Sequence, residues 1–364
     1  MKFALISLGG KSSLRVVEEA KTFFEVSDHL DLSEIEVRAD SKELKVLHKD
    51  KPIGPYDCIY IRGSFRYALL QQSITRALHN EVYMPLKPNS FTLGHNKFLT
   101  LLELQKNKVP LPTTYFVNNV NTAKKILEKV NFPIIMKIPS GTQGKGVMFA
   151  DSMGSARSML DALDVFNQPY IIQEFIDTDS TDIRAIVLGK KVVASMKRKG
   201  ANGELRANIH AGGEGINFEL DYDTEQTAIK AAEAVGAEIV GVDILEYGNK
   251  PLVIEVNLSP ALEGGISKAT KKNVAYETAK FLFEKTKEFK EKNSKSHTEN
   301  LLREIGSANS DKKEFLTNLN IKAGIIKLPD IITEISEFHP DDEVLIELKK
   351  GEIKIKKQEI KKND

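Results

Sequence analysis

Residues 239–260 read IVGVDILEYGNKPLVIEVNLSP, two apolar runs on either side of a Gly-Asn pair. Short runs rich in Ile and Val around such a pair predict two antiparallel strands with a tight connection. Polar residues break the runs at Asp243, Glu255 and Asn257. Glu255 and Asn257 are two apart, so on a strand their side chains share a face. Whether Asp243 joins them depends on the turn. A three-residue loop, Gly248-Asn249-Lys250, sets Asp243 directly opposite Glu255, whereas a two-residue loop pairs Glu255 with Val242 and sends the carboxylates to opposite sides. Two carboxylates and an amide oxygen among apolar neighbours do not read as solvated surface charge, because unpaired carboxylates on a packed sheet are costly. As hard oxygen ligands they suit Mg²⁺ shared with phosphate oxygens.

Upstream, strands are expected at 182–188 and 191–197, then a polar, glycine-rich stretch at 200–215 and a helix from Asp223 to Val235. Asp182 and Arg184 fall on one strand face, as an ion pair or a ligand site. Arg206 and Asn208 sit in GELRANIHAGG (203–213), and an arginine in such a segment suits a transferring phosphoryl group.

Farther back, PIIMKIPSGTQGKGVMF (133–149) carries Gly141, Gly144, Lys145 and Gly146 between two apolar runs. Its glycines let backbone N–H groups turn inward toward phosphate. A P-loop is excluded because Val147-Met148-Phe149 follows the last glycine, and the spacing is the reverse of a dinucleotide-binding turn. The loop therefore joins strand to strand, a flap over phosphates without a helix beneath them. Lys137 is a charge in a strand otherwise suited to burial and needs an anionic partner. The strand Tyr170–Phe175 ends in a carboxylate, Glu174, and a ring, Phe175, where a nucleoside would pack. Helices are expected from Asn96-Lys97-Phe98 to about Lys106, from Lys124 to Val130 and near 156–166.

The N-terminal stretch reads as strand Lys2–Leu8, a Gly9-Gly10 turn, a helix from Ser13 to Phe24 and a strand at Asp57–Ile61, the order of an α/β domain with a parallel sheet. Met84-Pro85-Leu86-Lys87-Pro88 is a stiff connection of the kind that separates domains. At 364 residues the chain calls for two to four domains. Its 52 basic and 51 acidic residues nearly cancel, which removes any global charge argument for nucleic acid. One cysteine, Cys58, excludes an internal disulfide and fits a reducing compartment. The apolar start is interrupted by Gly9, Gly10 and Lys11, so no signal peptide is expected, and no run approaches the roughly 18 apolar residues of a membrane span. A cytoplasmic protein is expected. Seven scattered histidines lack zinc-ligand spacing.

Taken together, these stretches resemble the ATP-grasp superfamily and, within it, the RimK-type α-L-glutamate ligases, over about residues 1–285. The matching pieces are HNKFLTLLELQKNKVPLPTT, MKIPSGTQGKGV, IIQEFIDTDSTDIRAIVLGKKVVASMKRKG, RANIHAGG, GVDIL and IEVNLSPALEG, in this order. The resemblance implies an N-terminal α/β domain followed by two α+β lobes that grip ATP. It places Lys97, Lys137, Glu174, Phe175, Asp182 and Arg206 against ATP, with the flap glycines, Lys145 and Asn208 beside them. It also gives Asp243, Glu255 and Asn257 two Mg²⁺ or Mn²⁺ ions. A carboxylate then attacks the γ-phosphate to give an acylphosphate, and an amine displaces phosphate. Glutamate needs cationic partners, for which Arg62, Arg66, Arg198 and Lys199 are candidates, Arg198 first; Arg198 and Arg206 are the expected catalytic arginines. Two departures stand out. Ala261 replaces a glycine of the family pattern, and Lys197-Arg198-Lys199 adds positive charge beside the acyl site.

After a helix expected from Ala269 to about Lys292, NIKAGIIKLPDIITEISEFHPDDEVLIELKKGEIKIKK (320–357) resembles the swapped-hairpin AbrB/SpoVT fold, in which two copies interleave. The expected organisation is an α/β domain at 1–90, an ATP-grasp domain of α+β lobes at 91–286, a charged linker at 287–316 and an AbrB-like unit at 317–358. The function implied is ATP-dependent addition of L-glutamate to a protein C-terminus or a small metabolite, in a chain that is at least dimeric. A carrier-protein-dependent amino acid biosynthesis ligase and a cofactor-glutamylating ligase are alternatives within the enzyme class. A ligand-sensing DNA-binding regulator is the alternative outside it.

Overall fold

The computed structural model describes residues 1–41, 43–117, 119–139, 146–165, 168–200, 214–248, 250–306, 320–322, 325–327, 336, 338–339 and 342–357. The chain divides into two compact units, Met1–Lys287 and Glu288–Asp364.

The first unit opens with β1 (Lys2–Ser7), α1 (Lys11–Ala20) and β2 (Val26–Asp31), then an antiparallel insert of β3 (Ile35–Ala39), β4 (Leu44–His48) and β5 (Lys51–Pro52), then β6 (Cys58–Ile61) and α2 (Ala68–Leu78). β1 pairs in parallel with both β2 and β6, giving the order β2-β1-β6. Phe3 to Ile6, at the centre of the sheet, and Cys58 to Ile61, beside it, are continuous apolar runs and are buried throughout, as strands of a parallel sheet commonly are. Burial pushes the Cys58 thiol up to about 12, so it serves as a core residue. α3 (Ser90–Gly94) leads to α4 (Lys97–Lys106), whose first turn is capped by Asn96 Oδ1 accepting from the amides of Phe98 and Leu99. That cap fixes Lys97 at the first helical position, and the Lys97 amide also donates to the Pro139 carbonyl at 3.1 Å.

The next elements are β7 (Thr114–Val117), α5 (Val120–Leu127), β8 (Ile134–Lys137), β9 (Val147–Ala150), α6 (Met153–Val165) and β10 (Tyr170–Glu174), with sheet order β7-β10-β8-β9. Ile134 and Met136 of β8 lie in a core with Leu127, Leu160 and Tyr170, and alternation turns Ile135 and Lys137 to the other face. β8 and β9 pair from Ile134↔Ala150 to Lys137↔Val147, so the glycine loop does join strand to strand.

A five-stranded antiparallel sheet, order β13-β12-β11-β14-β15, follows from β11 (Thr181–Leu188), β12 (Lys191–Lys199), β13 (Glu214–Asn217), β14 (Ile239–Tyr247) and β15 (Lys250–Asn257). α7 (Tyr222–Ala234), capped by Asp221, packs across β11, β12, β14 and β15. α8 (Gly265–Thr270) and α9 (Val274–Gly306) follow. α9 extends well past the expected end near Lys292, because no proline or glycine interrupts the sequence before Gly306. The second unit contains two hairpins, β16 (Asn320–Lys322) with β17 (Ile325–Lys327) and β18 (Val344–Lys349) with β19 (Glu352–Lys357). Among the described residues, no helix is long and apolar enough to cross a membrane.

Candidate active site

Three strands of the five-stranded sheet build the centre of the site. Arg184 on β11 pairs across from Asp243 on β14, and Asp243 pairs across from Glu255 on β15. One row over, Asp182 on β11 faces Arg198 on β12. Alternation along each strand brings all five side chains to one face, with charges alternating in sign from Arg198 through Asp182 and Arg184 to Asp243. The connection from β14 to β15 has only two residues, since Tyr247 already pairs with Lys250. By itself it would place Glu255 opposite Val242. Instead Ile244 pairs with Val253 and Asp243 with Glu255, so Ile254 is an extra residue in the ladder, a β-bulge that brings the carboxylates together.

The ion pairs are short and buried. Arg184 donates from Nε and Nη2 to the two carboxylate oxygens of Asp243 at 2.7 and 2.6 Å. Arg198 donates to both oxygens of Asp182 at 2.6 and 2.5 Å, and its Nη2 lies 3.1 Å from Asp243 Oδ2. Asn257 Nδ2 reaches the same oxygen at 3.5 Å. Burial works against ionisation of Asp243, yet Arg184 and Arg198 hold its pKa down at about 2. Asp182 is raised to about 6, chiefly by burial, with Arg198 opposing. Burial also raises Glu255, helped by the neighbouring Asp243 charge and opposed by Lys97, Arg184 and Lys137.

The facing wall comes from β8 and β10. Lys137 Nζ donates to Gln173 Oε1 at 2.6 Å, and Gln173 Nε2 donates to Thr114 Oγ1 at 2.8 Å. Burial lowers Lys137 to about 8 despite the pull of Glu255. Lys97 is lowered for the same reason. The Phe149 and Phe175 rings meet edge to face at 5.2 Å. Glu174 Oε1 accepts from the Thr113 amide at 2.8 Å at the end of β10. Both walls line a cavity of about 1070 Å³, which takes in Lys97, Lys137, Glu174, Phe175, Asp182, Arg198 and the Asp243, Glu255, Asn257 trio. Gly146 has φ +77 and its carbonyl accepts from Ile138 at the base of the flap, outside the lining. Gly141, Gly144, Lys145, Arg206 and Asn208 lie outside the described residues.

The third wall is the carboxyl edge of the parallel sheet. Arg62 is buried after β6 and donates to Ser13 Oγ (3.0 Å), Tyr60 Oη (2.9 Å) and the Pro260 carbonyl (2.6 Å). The Gly63 amide donates to Ser259 Oγ and the Leu262 amide to Ser12 Oγ, fastening the segment after β15 to the first turn of α1 and the segment after β6. A side chain at Gly241 would meet Pro260 at 3.0 Å, so this glycine lets the segment fold back over β14. Ala261 does not have positive φ, so the replacement of glycine there strains nothing.

The basic run departs from the expectation of free positive charge beside the acyl site. Lys197 pairs with Glu246 at 2.9 Å, Arg198 with two aspartates, and Lys199 with Asp179 at 3.0 Å. Arg62 and Arg198, expected to face a substrate carboxylate, are taken up by protein acceptors. Arg184 and Gln173, by contrast, are drawn into the centre. The in-step spacing of Asp182 with Arg184 was the signal for the first, and nothing in IIQEF singled out the second.

The donor set fits a divalent cation that also binds phosphate. Among the described residues no cluster of three or more His, Cys, Asp or Glu is placed to hold a metal. Two carboxylates and an amide leave a hard cation in need of further oxygens, which phosphates supply.

A family model for the RimK-like ATP-grasp domain matches residues 94–282. The chain is 33% identical over 287 residues to a probable alpha-L-glutamate ligase of Nitrosococcus oceani, covering 78% of this chain and 95% of that protein. It is 32% identical over 302 residues to the probable alpha-L-glutamate ligase of Hydrogenovibrio crunogenus, covering 82% and 97%. In fold it is similar to the ATP-grasp ligase PsnB complexed with minimal precursor, Mg and ADP, with TM-score 0.60, 15% identity and coverage of 79% and 98%.

Proposed function

The chain belongs to the RimK-like ATP-grasp family of ATP-dependent ligases, and from that premise we propose that it joins a carboxylate to the amine of L-glutamate through an acylphosphate. The observation that carries this reading is the row Arg184, Asp243, Glu255 facing Lys97 and Lys137 across one cavity. A carboxylate and a triphosphate repel each other, and a site that brings them together needs alternating charge held away from water.

For the described residues the geometry supports these roles, and for Gly141, Gly144, Lys145, Arg206 and Asn208 the family resemblance does. Lys97 and Lys137 draw phosphate oxygens, with Gln173 fixing the Lys137 ammonium. The apolar edge made by Phe149 and Phe175 takes the base, and Glu174 lies at the polar end of that slot. The flap, with Gly141, Gly144, Lys145 and Gly146, covers the phosphates, and Arg206 with Asn208 completes their surroundings. Asp243, Glu255 and Asn257 hold Mg²⁺, replaceable by Mn²⁺, as two ions. When bound, these supply positive charge at the γ-phosphate as the acceptor carboxylate adds to it and ADP leaves. The amine of glutamate, unprotonated, then forms the amide and releases phosphate. Arg198 acts through Asp182 and Asp243 as a buried counter-ion. The acceptor enters along Arg62 to Phe65 and the 259–261 segment, and is a protein C-terminus or a small carboxylate.

The domain reading is 1–90, 91–286, 287–316 and 317–358, in a cytoplasmic protein. The last unit dimerises by pairing with a second copy. On the β18–β19 hairpin, Val344, Ile346, Leu348, Ile353 and Ile355 share one face and are exposed, which supports that reading because a two-stranded sheet is marginal alone. The test of function is incubation with ATP, Mg²⁺, isotopically labelled glutamate and a panel of peptides and small carboxylates. ADP release should accompany a mass gain of one labelled glutamyl residue on an acceptor. Nucleotide turnover that never depends on glutamate would overturn the proposal.

A further inference from the structure

Both oxygens of Asp243 are engaged by protein donors. Arg184 takes one hydrogen bond to each, at 2.7 and 2.6 Å, and Arg198 adds a contact to Oδ2 at 3.1 Å. A cation approaching Oδ2 must therefore displace a guanidinium. The two arginines differ in how easily they yield. Arg198 is 4% exposed and is tied by two further bonds to Asp182, so moving it would leave the buried Asp182 carboxylate without its guanidinium. The Arg184 side chain is more exposed, 18% against 5%, and both of its hydrogen bonds go to Asp243. It also borders the cavity directly.

We infer that Arg184 is a positioning residue that holds Asp243 until a divalent cation takes its place, so that Arg184 and the cation compete for the same carboxylate. The inference rests on the reading of Asp243 as a cation ligand. Arg184 and Arg198 already share this one buried carboxylate, so a divalent cation would be a third positive centre on Oδ2, and one of the three must leave as it arrives. A nucleotide resolves the competition, because its phosphates offer the released guanidinium a new anionic partner with matching fork geometry. Cation and nucleotide then load together, and cation alone binds weakly.

The test measures Mn²⁺ affinity of the full-length, nucleotide-free protein by electron paramagnetic resonance, with circular dichroism to confirm folding. Arg184→Met and Arg184→Lys are compared with the unaltered protein, and Asp243→Asn serves as control. Both Arg184 variants should bind Mn²⁺ at least roughly tenfold more tightly, since each removes the competing fork. Unchanged or weaker binding in a folded Arg184 variant overturns the inference. A gain in the Met variant without one in the Lys variant also overturns it, by reducing Arg184 to background charge. If the Met variant fails to fold, the Lys variant decides alone. Binding that ignores Asp243→Asn would refute the cation reading itself, whereas binding that needs Asp243 but is insensitive to Arg184 refutes only the competition.

Discussion

Asp243 on β14 stands directly opposite Glu255 on β15, one carboxylate held ionised by two arginines and the other raised by burial beside it. The pair is asymmetric, and both members face the same cavity. Asp243→Asn and Glu255→Gln should each cut ligation by at least a hundredfold, because on the proposed reading each removes charge that would hold the cation at the transferring phosphate. Such losses commonly amount to about 3 kcal/mol or more in the barrier. The check is the initial rate of ADP release at saturating Mg²⁺, where an unchanged rate for Glu255→Gln would remove that residue from the site.

Arg198 and Lys199 are neighbours in sequence but should differ sharply in effect. Arg198→Met strands Asp182 in the interior and takes one of two cationic partners from Asp243, a defect worth about 3–5 kcal/mol when one partner of a buried pair is removed. Lys199→Met breaks only an exposed pair with Asp179 and should cost less than about 1 kcal/mol. Urea unfolding of the two variants separates the cases, and equal midpoints would contradict the buried network.

Lys137 has a pKa near 8 in the free protein, lowered chiefly by burial. Its protonated form is the one that attracts phosphate, so affinity for ADP should fall as pH rises through about 8. The stability effect has the opposite slope. A lysine depressed in the folded state binds fewer protons there than when unfolded, so its contribution to stability improves between about 8 and the ordinary lysine value. Lys137→Arg should flatten the binding profile, because arginine stays charged throughout. Calorimetric titration of ADP from pH 7 to 9 provides the check, and an inflection that survives in the Arg variant would assign it elsewhere.

Strands β14 and β15 and the polar trio Asp243, Glu255 and Asn257 are legible because buried strands carry continuous apolar runs and any polar residue within them stands out. Turn length, however, pointed the wrong way. A two-residue connection separates Asp243 from Glu255, and only the bulge at Ile254 reverses that outcome. Ile254 lies in an unbroken apolar run, LVIEV, that gives no sign of an extra residue. Arg198 stands out in the sequence as a partner for substrate, but its pairing with Asp182 and Asp243 does not. It lies between two lysines, and alternation along β12 sets it on the face opposite Lys197 and Lys199. The partners that neutralise the three cations are Glu246, Asp182, Asp243 and Asp179. Of these, Asp243 and Glu246 are distant in sequence and could be paired only through the sheet register.

A truncation after Lys287 removes the second unit and keeps every described residue of the cavity. It should retain glutamate-dependent ADP release within about twofold and sediment as a smaller species than the full chain. Loss of activity in a well-folded truncation would place part of the C-terminal unit in the reaction, and an unchanged oligomeric state would move dimerisation to the first unit.

The acylphosphate route is tested most directly by oxygen transfer. An acceptor identified by mass is labelled with ¹⁸O in its carboxylate and turned over with ATP, Mg²⁺ and glutamate, and the released phosphate is examined by ³¹P NMR. Attack of that carboxylate on the γ-phosphate, followed by displacement by the amine, must leave one labelled oxygen in each phosphate formed. Phosphate that carries the label in step with amide formation is the predicted result, and unlabelled phosphate at full amide yield would contradict the account.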